Sequence, residues 1–444
     1  MILSNKDIKH IFEKLRVGLV PERGLDSYVV GNERELAEIG RQLEFVQGGE
    51  GNVKFLRGGY GCGKTFMARL AVIEAQKRGF ATSFVVVSDN DLKFHRFDDV
   101  YRKVVAELGT SACPRGALGD ILDRWIGNVE AALEDTLGEV DDATFDKAVL
   151  AKIEENLASM TGNQAPADFI RVIQKVFELK QAGQLSEAAG LLSWLSGSGN
   201  VAASVKKLAG IRGELGSRVA MDYLRGIVGI IHAAGYQGLL IVIDEAETIL
   251  RMRKDSRHKS LNGLRQICDG AGGYPRLLWL FTGTPDFFES RHGVAGLPPL
   301  YDRIRFQERG GFASVTQPQL NLRPFDQDRL RKAAHKLRAL YVGREHPELV
   351  ELKITDEFID KLVKSVSKGL KGHVGLVPRH FMREFVDIMD LVDQEPGFDP
   401  MKQFEKPYQV RELDDAEKAV IARGDSMLDA DDGDDELVPE EEVW

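Results

Sequence analysis

The run Gly58-Gly-Tyr-Gly-Cys-Gly63-Lys64-Thr65 constrains this chain more than any other eight residues do. Its glycines let successive backbone N–H groups turn toward one point, which makes a cradle for phosphate oxygens. Lys64 then reaches the terminal phosphates as a point charge, and the Thr65 hydroxyl is a hard oxygen donor suited to Mg²⁺. Such a loop works only between a strand and a helix. Val53-Lys-Phe-Leu-Arg57 precedes it with strand character, and residues 64–78 follow as a helix. Phe84-Val-Val-Val87 is a continuous apolar run, as in a strand buried on both faces, so the order predicts a βαβ unit and a parallel sheet.

A second strand pattern supplies acids. Leu239-Leu-Ile-Val-Ile243 delivers Asp244 and Glu245 at its C-terminal end. Asp244 is placed to hold Mg²⁺ opposite Thr65, and Glu245 to orient an attacking water. That second acid favours hydrolysis over transfer to a small acceptor. Leu277-Leu-Trp-Leu-Phe281 ends in Thr282 and Thr284, and Thr282 is the first choice for a polar contact to phosphate or water. A short strand near Leu320 to Leu322 brings the expected count to five.

The 180 positions between Lys64 and Asp244 exceed what a minimal nucleotide-binding core requires. They contain helical stripes: Ile121, Leu122, Trp125, Ile126 and Val129, then Val149, Ile153 and Leu157, then Phe169, Ile173, Val176 and Phe177. The expected organisation is an α/β phosphate-loop core with a parallel five-stranded sheet, a large helical insertion and a C-terminal helical lid. Its segments are an N-terminal helix and connection (1–28), a first core part (29–111), the insertion (112–216), a second core part (217–325), the lid (326–400) and an extension with an acidic tail (401–444).

Composition removes several classes. At 43% hydrophobic and 29% charged the chain is no disordered polymer. Ten of the 69 acids lie in residues 425–444, which hold no Lys or Arg, so residues 1–424 balance 59 bases with 59 acids. The formal charge of −10 therefore belongs to the tail and does not argue against a nucleic-acid partner. Cys62, Cys113 and Cys268 are too dispersed for a disulfide framework, which points to a reducing, cytoplasmic setting. The longest apolar stretch is broken by His232, Gly235 and Gln237, so no membrane span is expected.

Arginines complete the candidate site. Arg303 and Arg305, in Leu300-Tyr-Asp-Arg-Ile-Arg-Phe306, could serve a neighbouring copy's nucleotide, and Arg379 opens a late helix able to touch phosphates from the lid side. Two basic clusters offer a nucleic-acid face: Arg251, Arg253, Lys254, Arg257, Lys259 and Arg265, and Arg329, Arg331, Lys332, Lys336 and Arg338. The first is balanced evenly between a phosphate-facing and a solvated role; for the second the solvated role is favoured.

The order of these motifs resembles the AAA+ ATPases of the origin-recognition-like branch. Gly24-Leu-Asp-Ser-Tyr28, the glycine-rich run, Ile243-Asp-Glu-Ala-Glu-Thr248, Phe281-Thr-Gly-Thr-Pro285 and Pro378-Arg-His-Phe-Met-Arg383 further resemble the BrxD family, ATP-binding proteins of BREX phage-defence systems. The resemblance implies ATP and Mg²⁺ between core and lid. Val30 and Gly31 would cradle adenine; Gly58, Gly59, Tyr60, Gly61, Cys62, Gly63, Lys64, Thr65 and Phe66 would form the phosphate loop. Asp244 and Glu245 would be the acids, Thr282 the first sensor and Arg379 the second. Thr282 stands where the family often has Asn, which implies slower hydrolysis. Origin-binding relatives carry a winged helix after the lid, for which residues 401–444 leave no room. The implied partners are further copies of the chain, DNA and other defence-system proteins, with no membrane. A nucleotide-dependent scaffold that recruits an effector through the helical insertion is the alternative.

Overall fold

Six strands form one sheet in the computed structural model, which describes residues 3–88, 92–162, 165–369 and 377–405. They are β1 (Asn52–Arg57), β2 (Ala81–Val86), β3 (Leu108–Gly109), β4 (Leu239–Asp244), β5 (Leu277–Gly283) and β6 (Gln319–Asn321), in spatial order β3-β2-β4-β5-β1-β6. All neighbours are parallel except β2 and β3. The expected five-stranded parallel sheet is thus corrected by one antiparallel edge strand. β3 is two residues long, too short to show an alternation, and it exists because Leu108 and Gly109 lie opposite Ser83 and Thr82. Gly109 is required there: a Cβ would meet the Pro114 carbonyl oxygen at 2.2 Å.

Every residue of β4 and β5 is buried. Alternate side chains feed two cores, as the two-residue period of a strand dictates. Ile241 and Ile243 join Trp279 and Phe281 on one face; Leu240 and Val242 join Leu278 and Leu280 on the other. Both faces are covered by helices, the arrangement a mostly parallel sheet needs. The first core runs without a break into the helices Leu118–Leu137, Asp142–Met160, Ala167–Gln181 and Leu185–Leu195. Trp125 and Phe169 are fully buried there, and Phe169 lies edge-on to Tyr223 of helix Ser217–Ala233 with ring centroids 5.0 Å apart.

The second core unites helix Lys64–Lys77, helix Glu33–Gln47 and the later helices Gln327–Leu340, Pro347–Lys353, Asp356–Gly369 and Val377–Gln394. The N-terminal helix Asn5–Arg16, capped by the Ser4 hydroxyl, packs on the last of these. Arg16 donates to both carboxylate oxygens of Asp390 at 2.6 and 2.9 Å, and Phe12 meets Tyr341 edge-on at 5.3 Å. No helix among the described residues is long and apolar enough to cross a membrane. The acidic residues 425–444 lie outside the described residues.

Candidate functional site

The strand ends converge because the sheet is in register. Leu56 pairs with Thr282 and Arg57 with Gly283, while Ile243 pairs with Phe281, so Asp244 and Thr282 emerge side by side next to the glycine-rich turn. This is the C-terminal edge of the parallel strands, where α/β sheets bind ligands.

The turn is shaped as phosphate binding requires. Gly61 and Gly63 have φ of 65° and 85°, a left-handed region that side chains disfavour. Gly63 caps helix Lys64–Lys77 without a side-chain acceptor, and no acid sits in the first turn. A 14-residue helix thus starts with backbone donors aimed outward, which suits an anion. The Lys64 ammonium is buried and donates to the carbonyls of Gly58 at 3.0 Å and Gly59 at 3.3 Å, 5.3 Å from the Tyr60 ring centroid. Cys62 is buried, and Phe66 meets Tyr28 edge-on at 5.6 Å.

Five residues form a continuous hydrogen-bonded chain. The Thr65 hydroxyl donates to one Asp244 oxygen at 2.8 Å, and the Thr282 hydroxyl to the other at 2.6 Å. The Glu245 N–H donates to the Thr282 hydroxyl at 2.9 Å, and the Thr248 hydroxyl donates to the Glu245 carbonyl at 3.0 Å. Glu245 itself is held at φ 63° and ψ 41°, an uncommon conformation for a side-chain-bearing residue. Asp244 and Thr282 are buried, whereas the Glu245 side chain reaches solvent. Burial, then the Asp244 and Glu247 charges, push the Glu245 carboxyl up to about 7. Thr65 and Asp244 bring together hard oxygen donors, a pair that fits Mg²⁺, an ion that keeps several waters and needs few protein ligands.

Helix Gln327–Leu340 reaches the segment after Tyr28. Val30 is buried, and the Gly31 N–H donates to the Glu33 carboxylate at 3.1 Å. Lys336 donates to the Val29 carbonyl at 2.7 Å, and the Arg329 Nε lies 2.6 Å from where a Cβ on Gly31 would sit.

Arg303 and Arg379 are held apart from the Thr65–Asp244–Thr282–Glu245 chain. Arg303 pairs with Asp269 and donates to the Pro299 carbonyl. Arg305, two residues on, lines with Arg309, Phe312 and Gln317 an open cavity of about 560 Å³. Arg379 donates to the Gly18 carbonyl at 3.1 Å. Of the basic clusters, Arg331 pairs with Asp328 and Asp360, and Arg338 with Asp356. Arg257 donates to the Leu250 and Met252 carbonyls of its own chain segment.

Two side chains enter the site that sequence reasoning did not place there. Glu247, 2% exposed, places one oxygen 3.4 Å from the Lys64 ammonium. Arg251 hydrogen-bonds the Tyr60 phenol, whose pKa is raised to about 12 by burial and then by Glu247. Glu247 stands in the motif that carries Asp244 and Arg251 just after it, but the contacts cross to a turn some 180 positions earlier, which no local spacing reveals.

Against known proteins, residues 3–407 match the family model of the BREX system ATP-binding protein BrxC/D. The chain belongs to that family. No curated protein matches the sequence. Among solved structures, a chain of the Drosophila ORC bound to DNA is 12% identical with a TM-score of 0.35, over 81% of this chain and 62% of that one. The Walker-type ATPase of Pyrococcus abyssi is 14% identical with a TM-score of 0.35, over 84% of this chain and 71% of that one. This chain thus spans less than two thirds of the ORC chain it matches. Membership of the BrxC/D family agrees with the ATP-binding BREX protein that the resemblance implied, and the sheet has one strand more than expected.

Proposed function

We propose that this BrxC/D-family protein binds MgATP between the sheet edge and the lid, hydrolyses it, and uses the cycle to act on DNA or a DNA-bound partner in phage defence. The observation that carries the reading is the Thr65–Asp244–Thr282–Glu245 chain beside the glycine-rich turn. In this reading Lys64 and the turn's N–H groups bind the phosphates, and Val30 and Gly31 border the base. Mg²⁺, held by Thr65 and Asp244, supplies charge that neutralises the β- and γ-phosphates. Thr282 fixes Asp244 and the Glu245 backbone at once, so Glu245 can orient a water and accept its proton. A carboxyl poised near 7 suits that exchange.

Assembly into a closed oligomer would bring a neighbour's arginine to the γ-phosphate. Arg305 suits this better than Arg303, because Arg303 is committed to Asp269 while the Arg305 guanidinium has no hydrogen-bond or ion-pair partner among the described residues. Arg379 could complete the lid side by leaving the Gly18 carbonyl. Nucleic-acid contact is best sought at the exposed Arg253 and Lys259, since the lid cations Arg331 and Arg338 are neutralised by acids.

The test is direct. Wild type should bind MgATP, Lys64→Ala should not, and Glu245→Gln should bind while losing most turnover. Failure of the wild type to bind overturns the reading. Equal rates for wild type and Glu245→Gln would favour instead a scaffold governed by binding alone. Stimulation of turnover by DNA at low salt, lost in Arg253→Glu with Lys259→Glu, supports direct DNA action; unchanged turnover with DNA refutes it.

A further inference from the structure

Among the described residues, the acid within ion-pair distance of Lys64 is Glu247. The Glu247 side chain hangs from the turn Ala246–Arg251 that follows β4, with one oxygen 3.4 Å from the ammonium and the other buried without a hydrogen bond. A buried carboxylate kept only for packing would normally have both oxygens satisfied. Here the cost of an orphaned oxygen is accepted, and the acid stands where it can face the lysine. The hydrogen-bond acceptors of Lys64 are two neutral carbonyls, which a phosphate displaces easily; a carboxylate at close range in a low-dielectric pocket does not yield so readily.

Resting on the reading of this site as a nucleotide site, we propose that Glu247 is an internal competitor for Lys64, which the phosphates must displace, so that the pair sets nucleotide affinity. Glu247 is then a positioning residue that acts through Lys64 and touches no substrate. Binding requires the fraction of molecules in which Lys64 has turned away from Glu247. If that fraction is about one in ten, apparent affinity is lowered about tenfold. Glu247→Gln keeps the size and one acceptor but removes the charge. Glu247→Asp keeps the charge and withdraws it by one methylene.

MgATP affinity by equilibrium dialysis, with thermal unfolding of the same samples, decides the matter. Glu247→Gln should bind about tenfold more tightly than wild type, with Glu247→Asp between them, even where the variants melt at lower temperature. A structural role would move affinity the other way, in step with melting temperature. If wild type binds MgATP and Glu247→Gln binds equally or more weakly, the competition is refuted while the nucleotide reading stands. If wild type binds no MgATP, both fall together.

Discussion

Thr282→Val removes one hydroxyl and tests the hydrogen-bonded chain with almost no change of shape. Two bonds disappear: the donation to Asp244 at 2.6 Å and the acceptance from the Glu245 N–H at 2.9 Å. Thr282 is fully buried and Asp244 1% exposed, so water cannot replace the hydroxyl without rearrangement. A buried N–H left unpaired costs about 1–3 kcal/mol, and a carboxylate that loses one donor about 1.5–3 kcal/mol. Asp244 keeps Thr65, which puts the expected total near 3 kcal/mol. Thr282→Ser retains the hydroxyl and loses one buried methyl, about 1 kcal/mol. The two variants should therefore differ by about 2 kcal/mol, a factor of roughly 30 in local opening. Hydrogen exchange of the peptide containing Glu245 reads this opening without assuming that a chain of several lobes unfolds in one step. Protection in Thr282→Val equal to that in Thr282→Ser would refute the argument that the hydroxyl holds the two acids in place.

Three further perturbations address other parts of the molecule. Because the folded Glu245 carboxyl keeps its proton up to about 7, above its ordinary 4.5, it favours folding in acid and loses that contribution as pH rises across this interval. The side chain reaches solvent, so the loss is about 1 kcal/mol, and Glu245→Gln should flatten the urea midpoint between pH 5 and pH 8 in metal-free protein. Gly226→Ala would drive a Cβ to 2.6 Å from the Phe169 ring, so helix Ala167–Gln181 must shift; a loss of about 1–3 kcal/mol is expected in denaturant melts, with MgATP binding unchanged. The buried Asp393 accepts the N–H groups of Arg344 at 2.7 Å and His346 at 2.9 Å; Asp393→Ala should cost about 2–4 kcal/mol and expose residues 343–346 to limited proteolysis.

Features that repeat within a few residues were legible in the sequence. The glycine-rich turn is defined by one short pattern, and β4 and β5 by unbroken apolar runs. The stripe through Trp125 announces its helix at a period of 3.6. What sequence could not give are relations fixed by the fold. Thr282 reads as a polar strand end, but its bond to Asp244 follows from the register between β4 and β5. Arg303 reads as an arginine that could reach a neighbour, and only the folded chain brings Asp269 to it. A solvated role is the favoured reading for Arg331 and Arg338, but only the folded chain names their partners, Asp360 and Asp356 of helix Asp356–Gly369. β3 has two residues and no pattern at all.

The three acids in Asp244-Glu-Ala-Glu247 show how environment alone can divide one chemical group among different tasks. Asp244 is buried and takes a hydroxyl on each oxygen, from Thr65 and Thr282. Glu245 leaves the strand in a left-handed turn that swings its carboxyl toward solvent, where its proton can exchange with water. Glu247 re-enters the interior and faces Lys64, with burial raising its pKa against the lysine's opposing pull. Under the proposed function, neutralising each acid must then give a different outcome in one binding and turnover assay. Asp244→Asn should lose the Mg²⁺ dependence of ATP binding, Glu245→Gln should bind without turning over, and Glu247→Gln should bind more tightly than wild type. Identical behaviour of the three variants would mean that the motif acts only as a pool of negative charge, and the division of labour inferred from their surroundings would be wrong.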